Sequence, residues 1–320
     1  MGAVAGLLVP ARPTLNRPGH PRSVGATPEH ARRLPSRSRS ITELLTPRDV
    51  ARLLADHGLA PRKTDGQNFL IDPNTVRRIV AAADLDPDDQ VLEIGPGLGS
   101  LTLGLADAVR RVVAVEIDAG LVRVLHETVG HLDGVEVVHA DALRIDLTQL
   151  VDPGPARVVA NLPYRTATPL LFHALASPAV TDLLVMVQRE VGERWAASVG
   201  DASYGAVSVK LALVAHVELA FTIPRTVFYP APRVDSVMVR VVRRADAASP
   251  QRLERLIRLV DAAFSARRKT LRNTLATVAE RDELAVAAVR AGVDLGARAE
   301  TLAASDIVAL DAALEAVQQH

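Results

Sequence analysis

The stretch Val91-Leu92-Glu93-Ile94-Gly95-Pro96-Gly97-Leu98-Gly99 decides the fold of this chain. It begins with a short, mostly apolar run that predicts a buried strand. Glycines then alternate, and a helical pattern begins at Ser100. Glycine permits positive φ and lets the backbone approach a ligand closely, and the unpaired N–H groups at the start of the next helix can bind that ligand. The stretch therefore predicts a nucleotide-cofactor site at the first strand–helix turn of an α/β sheet.

The spacing of the glycines distinguishes between cofactors. The dinucleotide fingerprint requires glycines at relative positions one, three and six, and Ser100 stands at the sixth position here. The pattern Glu93-x-Gly95-x-Gly97-x-Gly99 instead resembles the loop of S-adenosylmethionine-dependent methyltransferases. A glycine-rich loop can also be a tight structural turn, so the rest of the chain has to decide between the two interpretations.

The composition of the chain narrows its class. Of the 320 residues 48% are hydrophobic and 3% aromatic, none is cysteine, and the formal net charge is zero. The lack of cysteine excludes disulfides and thiolate metal sites and suits a cytoplasmic protein. The nine histidines have no metal-ligand spacing, so we expect no metal. No apolar run reaches the roughly 18 residues of a membrane span. Because the net charge is zero, a nucleic-acid partner would have to bind local basic patches of the surface.

Three regions differ in their patterns. Residues 1–40 hold seven arginines, one glutamate and six prolines without periodicity, which predicts a disordered basic arm. Residues 41–245 carry the alternating strand and helix patterns of the main domain, and residues 246–320 are helical throughout. We expect a helix from Pro47 with Thr46 as its N-cap, and a second helix that begins at Asp72-Pro73.

The pattern of the main domain predicts a sheet with helices between its strands. Predicted strands lie at Val91–Ile94, Arg111–Glu116, Val135–Ala140, Arg157–Asn161 and Leu183–Gln188. Because helical segments separate them, they predict a parallel, doubly wound α/β sheet. Two later runs, His216–Phe221 and Ser236–Val242, have no long helix between them and could close the sheet as an antiparallel pair.

Polar side chains follow three successive strands after the glycine loop. Glu116 ends the second strand, where a carboxylate can accept both ribose hydroxyls of a nucleoside. Asp141 follows the third strand, in a position suited to an adenine amine, and Asn161 ends the fourth. Each residue alone could be a helix N-cap, but in a doubly wound sheet all three meet at the ligand-binding edge.

Asn161-Leu162-Pro163-Tyr164 indicates the chemistry. The exocyclic amine of adenine is a poor nucleophile because its lone pair is delocalised into the ring, so an enzyme that methylates it needs acceptors for the amine protons. The Asn161 amide oxygen and the Leu162 carbonyl can accept hydrogen bonds from the amine N–H groups, and Tyr164 offers a stacking face worth about 1–3 kcal/mol to an unstacked base. The alternative is a proline-containing turn with a core tyrosine.

Several ordered segments together resemble the ribosomal RNA adenine N6-dimethyltransferases, most closely the small-subunit (16S) branch. The segments are Gly66-Gln67-Asn68-Phe69-Leu70, Glu93 to Gly99, Asn161 to Tyr164, Val187-Gln188-Arg189-Glu190-Val191, Phe228 to Ser236, and Arg267 to Asn273. The likeness covers residues 46–320. It implies an S-adenosylmethionine-dependent, Rossmann-like methyltransferase sheet with a small C-terminal α-helical RNA-binding domain.

The resemblance also implies roles for individual residues. Asn68 and Leu70 would close over the methionine end of S-adenosylmethionine, with Gly95 and Gly97 in the loop beneath it. Glu116 would hold the ribose and Asp141 the adenine, while Asn161 would lie between the cofactor and the target base. Tyr164 and Phe228 would sandwich that base. Where the family usually has Asn-Ile-Ser after the tyrosine, this chain has Arg165-Thr166-Ala167, which leaves the contacts of the next helical turn in doubt.

A basic stretch near the C-terminus suits an RNA partner. It consists of Arg267, Arg268, Lys269 and Arg272, which we predict to lie on one helix with phosphates as their ligands. A charge run can also be a solvated helix face. Arg233, close to Phe228 in sequence, is a second candidate for RNA contact.

The sequence therefore predicts a 16S rRNA adenine N6-dimethyltransferase. Its partners would be small-subunit rRNA and an immature small ribosomal subunit, its cofactor S-adenosylmethionine, and its product two adjacent dimethylated adenosines. Three alternatives stay open: a large-subunit methyltransferase of the macrolide-resistance type, a member of the mitochondrial branch, and an assembly factor for which methylation is secondary.

Overall fold

The computed structural model describes residues 42–62 and 67–319. Residues 1–40 of the predicted arm and Gly66 of the first motif lie outside this part. The described strands are β1 (Phe69–Leu70), β2 (Gln90–Ile94), β3 (Arg111–Glu116), β4 (Val135–His139), β5 (Ala156–Asn161), β6 (Val180–Gln188), β7 (Ala215–Ile223), β8 (Phe228–Tyr229) and β9 (Ser236–Arg243).

Helices separate most of these strands and make up the C-terminal region. They are α1 (Pro47–Asp56), α2 (Pro73–Ala83), α3 (Ser100–Ala108), α4 (Ala119–Val129), α5 (Ala167–Ala176), α6 (Arg189–Ala196), α7 (Ala206–Val214), α8 (Pro250–Phe264), α9 (Leu271–Leu275), α10 (Arg281–Ala291) and α11 (Ala304–Gln318). None of the helices in the described ranges is long and apolar enough to cross a membrane.

Seven strands form one sheet in the order β4-β3-β2-β5-β6-β9-β7. β2, β3, β4, β5 and β6 are parallel, as the intervening helices predict. β9 is antiparallel to both β6 and β7, so the two late runs do close the sheet as an antiparallel pair. The doubly wound α/β fold predicted from the sequence is confirmed. From β2 to β4 successive strands are added on one side of the sheet, and from β5 to β6 they are added on the other side. The carboxyl ends of β2 and β5, where this direction changes, form the crevice in which such sheets bind ligands.

A second, two-stranded sheet lies beside this crevice. β1 and β8 are antiparallel, with Leu70 opposite Phe228, and the Ile71 N–H donates to the Val227 carbonyl over 2.9 Å. The pairing joins the segment of the first motif to the segment that begins at Phe228, so two distant parts of the chain meet at one rim.

The sequence signals for the first helices are confirmed. α1 begins at Pro47 after Thr46, whose hydroxyl accepts from the Asp49 N–H while the Asp49 carboxylate accepts from the Thr46 N–H. This reciprocal pair satisfies two of the backbone donors that a helix start leaves unpaired. α2 begins at Pro73 after Asp72, which caps it through the Thr75 N–H.

Apolar side chains alternate between the two faces of the sheet. On one face Leu92 and Val113 join a core with the helices α5 to α11. On the other, Val91 and Val112 pack with α2, α3 and α4. Both faces are therefore covered, which is why the strands read as apolar runs. The proposed boundary at residue 245 falls between β9 and α8.

The prediction that the basic stretch lies on one helix is wrong. α8 ends at Phe264, and Arg267, Arg268 and Lys269 lie in the turn before α9, which contains Arg272. The physical reason is a tertiary contact. The backbone N–H groups of Leu271 and Arg272 donate to the carbonyls of Ala297 and Leu295 over 2.9 Å each. These hydrogen bonds hold the start of α9 against the segment that contains Leu295 and Ala297, and a helix continuing from α8 could not make them.

Candidate active site

A cavity of about 480 Å³ opens at the carboxyl ends of β2, β3 and β5. This volume lies within the range of small-molecule sites. Nine of the residues predicted to hold cofactor or base line it: Asn68, Leu70, Gly95, Gly97, Glu116, Asp141, Asn161, Leu162 and Tyr164. Residues as far apart in sequence as Asn68 and Asn161, 93 positions, are thus brought into contact by the fold.

The glycine loop forms one wall of the cavity. Gly95 and Gly97 have φ values of 72° and 62°, in the left-handed region that side chains disfavour. A Cβ atom on Gly97 would lie 3.1 Å from the Phe69 ring, so the loop also needs glycine for space. The backbone is consequently open to close approach by a ligand.

Glu116 fastens this loop to the end of β3. Its Oε2 accepts the Gly97 N–H over 3.1 Å and its Oε1 accepts the Asp118 N–H over 2.9 Å. The side chain is buried, and burial raises the pKa of Glu116, against the lowering effect of these backbone hydrogen bonds. The carboxylate therefore meets the cavity in a fixed orientation, as a ribose acceptor requires.

Glu93 is a functional candidate that the sequence reasoning did not select. It is 1% exposed, lines the floor of the cavity, and its Oε2 accepts the Thr102 hydroxyl over 2.6 Å. Burial raises the pKa of Glu93 to about 8, the Thr102 bond opposes this shift, and the nearby Glu116 adds to it. Glu93 is therefore mainly a neutral acid at pH 7. The sequence did contain a signal for Glu93. Both faces of an apolar strand are covered in such a sheet, so an acid within the strand is buried whichever face it lies on.

Asp141 lies at the opposite side of the cavity, just after β4. Its Oδ1 accepts the Leu143 N–H over 3.0 Å, and its Oδ2 lies 3.3 Å from Arg144 Nε. The side chain is 32% exposed. It is therefore held by the following turn but still reaches solvent and a ligand.

Asn161 ends β5 with an amide that is half satisfied. Its Nδ2 donates to the Asn68 carbonyl over 3.2 Å, which fixes which side of the amide carries the oxygen. Its Oδ1 is buried and accepts no hydrogen bond from the residues that the structure describes. Such an acceptor costs free energy when it has no partner, about 1–3 kcal/mol, and so suits a ligand N–H in the cavity.

Leu162 and Tyr164 continue the wall from Asn161. The Leu162 N–H donates to the Met186 carbonyl over 3.1 Å, which extends the pairing of β5 with β6. Tyr164 is half-buried, and its hydroxyl lies 3.1 Å from the Ser236 hydroxyl. Burial raises the pKa of Tyr164, so the phenol stays neutral, and the residue lines the cavity.

The other predicted site residues lie apart from the cavity wall. Phe228 is 3% exposed and packs in the core beside Met238, so its stacking role stays a prediction. Arg233 is exposed, and its carbonyl accepts from Arg225. The basic stretch is exposed, with Arg267, Arg268 and Lys269 on the turn between α8 and α9 and Arg272 in α9.

The fold and the cavity define a class of protein. A doubly wound sheet carries an acid-x-Gly-x-Gly-x-Gly loop after its first main strand and an oriented carboxylate after the second. A buried acceptor stands at the end of β5. This is the architecture of an S-adenosylmethionine-dependent methyltransferase.

Comparison with known families narrows the class. The family model described as "Ribosomal RNA adenine dimethylase" matches residues 58–315. The chain belongs to this family.

Individual relatives agree with this assignment. The chain is 52% identical over 270 residues to the ribosomal RNA small subunit methyltransferase A of Thermobifida fusca, a match that covers 82% of this chain and 93% of that protein. It is similar in structure to the 23S rRNA methyltransferase ErmE, with 30% identity, a TM-score of 0.62 and coverage of 78% of this chain and 100% of the other. A dimethyladenosine transferase from Plasmodium falciparum shares the fold, with 24% identity, a TM-score of 0.65, and coverage of 76% of this chain and 95% of the other.

Proposed function

We propose that this protein is a cytoplasmic enzyme that transfers methyl groups from S-adenosylmethionine to the N6 amines of two adjacent adenosines in small-subunit rRNA. The observation that carries the proposal is the buried Oδ1 of Asn161, which has no hydrogen-bond partner among the described residues and belongs to a residue that lines the cavity. A pocket that contains a buried acceptor without a hydrogen-bond partner is suited to a base that presents N–H groups.

The cofactor fit follows from the residues around the glycine loop. Gly95 and Gly97 have positive φ values and carry no side chain, so a ligand can approach their backbone closely. The carboxylate of Glu116, which is held in a fixed orientation, can accept charge-assisted hydrogen bonds from ribose hydroxyls. Asp141 can accept an adenine amine. Asn68 and Leu70 lie over the cavity from β1 and its approach. Bound there, S-adenosylmethionine would supply an electrophilic methyl group on its sulfonium sulfur.

The remaining chemistry belongs to the end of β5. Asn161 Oδ1 would accept a hydrogen bond from one N–H of the target amine and the Leu162 carbonyl would accept one from the other, so that the nitrogen lone pair is directed towards the methyl group. In-line positioning of two reactants is a large source of rate enhancement, and direct displacement needs no covalent enzyme intermediate. Tyr164 would hold the flipped base by stacking, with Phe228 as its proposed partner.

RNA binding would use arginine and lysine outside the cavity. Arg267, Arg268, Lys269 and Arg272 are exposed on a turn and a short helix, a geometry that can follow a phosphate backbone. Arg233 is also exposed, and it precedes Ser236, whose hydroxyl contacts Tyr164, by three residues in the sequence. Because phosphate contacts position an enzyme without reading sequence, these residues would supply affinity, and the base pocket would supply the chemistry.

The small-subunit substrate is favoured by the 52% identity to a small-subunit enzyme. The large-subunit alternative has support in the similarity to ErmE, at 30% identity. A role as an assembly factor is compatible with an immature subunit as partner, but the oriented Glu116 and Asn161 suit catalysis.

The test is labelled methyl transfer to naked 16S rRNA, naked 23S rRNA and immature small subunits in parallel. We expect transfer to the immature small subunit and little or none to 23S rRNA. Transfer to 23S rRNA alone would establish the large-subunit alternative. Binding to the immature subunit without any methyl transfer would establish the assembly factor.

A further inference from the structure

The hydroxyl of the proposed base-holding tyrosine has a partner on a distant strand. Tyr164 follows β5, whereas Ser236 is the first residue of β9, 72 positions further along the chain, and their hydroxyl oxygens lie 3.1 Å apart. Ser236 is 0% exposed. A fully buried hydroxyl that ends on the phenol of a cavity-lining tyrosine is in a position to fix the ring.

The backbone of Ser236 is itself held from several sides. Ser236 is paired with Gln188 of β6 and with Ile223 of β7. The preceding Asp235 accepts the Arg189 N–H at its carbonyl over 3.1 Å and the Arg225 N–H at its carboxylate over 3.0 Å. The hydroxyl is therefore presented from the first residue of a strand that is paired on both sides.

The other end of the contact is less constrained. Tyr164 is half-buried and lies in the turn between β5 and α5, where no ladder pairing holds it. A phenol ring in a turn can tilt about its χ angles, and stacking on a base depends on that tilt. The hydroxyl contact with Ser236 therefore links the ring of Tyr164, which lies in a turn, to a residue held in the sheet.

We propose that Ser236 is a positioning residue for methyl transfer, which acts through its hydroxyl contact to hold the Tyr164 ring in the orientation that stacks on the target adenine. The proposal rests on the proposed function of Tyr164. Ser236 would touch neither cofactor nor base. Its effect should therefore fall on the chemical step with a bound base and leave binding of S-adenosylmethionine unchanged.

The experiment compares Ser236→Ala, Ser236→Thr, Tyr164→Phe and the double variant Ser236→Ala/Tyr164→Phe. Single-turnover methyl transfer is measured on saturating immature small subunits, and cofactor affinity by calorimetry. Loss of one hydrogen bond predicts a rate about fivefold lower for Ser236→Ala, with unchanged cofactor affinity. Ser236→Thr keeps the hydroxyl and should restore most of the rate. Since Tyr164→Phe already lacks the contact, adding Ser236→Ala should change nothing further.

A matched control and a direct readout make the result decisive. Ser177 is 6% exposed, its hydroxyl lies 2.8 Å from the Thr148 hydroxyl, and it precedes β6 at the opposite end of the sheet. Ser177→Ala deletes the same kind of contact and should keep the wild-type rate. The chain has three tyrosines, so the Cζ resonances of ¹³C-labelled tyrosine can be resolved, and Ser236→Ala should shift the Tyr164 signal alone.

Two results would overturn the proposal. One is a Tyr164 resonance that does not move in Ser236→Ala. The other is a rate loss that simply multiplies when Ser236→Ala is added to Tyr164→Phe, because the serine would then act by another route. A wild-type protein that methylates none of the rRNA substrates would refute the proposed function instead, and the Tyr164 resonance would then decide about the contact by itself.

Discussion

Replacing Glu93 with glutamine should remove a pH dependence from the stability of the protein. Glu93 is fully buried beneath the glycine loop, and burial raises its pKa from the ordinary 4.5 to about 8. In the unfolded chain the same carboxyl ionises at its ordinary pKa. Between these two values the native state holds one proton more than the unfolded state, so the free energy of unfolding falls as pH rises.

The size of the effect follows from the two pKa values. A difference of one in pKa corresponds to about 1.36 kcal/mol, so the full interval is worth about 5 kcal/mol. Water that enters around an ionised buried group reduces such costs, and we expect a loss of about 3–5 kcal/mol. The contribution of Glu93 to the free energy of unfolding is fully present below pH 4.5, and it is lost as pH rises through 8. Against a typical total of about 5–15 kcal/mol, the loss is readily measured.

The assay is urea unfolding followed by circular dichroism at intervals from pH 5 to pH 9, for the wild type and Glu93→Gln. Glutamine keeps the shape of the side chain and cannot ionise, so the variant should become the more stable protein at the alkaline end. Glu254→Gln makes the same chemical change on the exposed surface of α8 and should follow the wild-type curve. Parallel curves for wild type and Glu93→Gln would refute the reasoning, because Glu93 would then be ionised or hydrated in the native state.

Four further predictions concern binding and catalysis. Glu116→Ala should weaken S-adenosylmethionine binding by about 2–4 kcal/mol in calorimetry, and an unchanged affinity would exclude Glu116 as the ribose acceptor. Tyr164→Ala should lower the methyl-transfer rate while binding to the immature subunit persists; a wild-type rate would remove its base-holding role. Neutralising Arg267, Arg268, Lys269 and Arg272 should weaken RNA binding and flatten its salt dependence with near-normal turnover, whereas an unchanged salt slope would place RNA elsewhere. Deleting residues 1–40 should leave cofactor affinity and thermal stability intact, and a large fall in melting temperature would show that the arm packs against the fold.

The sequence was sufficient for the features that depend on local patterns. The N-cap Thr46 and the helix start at Asp72-Pro73 were predicted to the residue, because capping is a local contact. The strand ends at Glu116 and Asn161 were also predicted to the residue. Once the sheet is doubly wound, its topology alone brings those strand ends to one edge.

Features that depend on distant contacts could not be read in the same way. β1 and β8 are two residues long, too short for any periodicity, and they exist because each pairs with the other. The end of α8 before Arg267 depends on hydrogen bonds to Leu295 and Ala297. Likewise the contact between Tyr164 and Ser236 joins two motifs whose spacing in sequence says nothing about their side chains.

In the proposed mechanism, Asn161 presents an acceptor to the N6 amine of adenines in small-subunit rRNA. The most direct measurement is mass spectrometry of nuclease fragments of 16S rRNA, after immature small subunits react with S-adenosylmethionine and either the wild type or Asn161→Ala. We predict one fragment with two adjacent N6,N6-dimethyladenosines for the wild type. For Asn161→Ala we predict almost no methylated adenine, although calorimetry should still detect cofactor binding. Methylation at another base or atom, or wild-type yields from Asn161→Ala, would contradict the account.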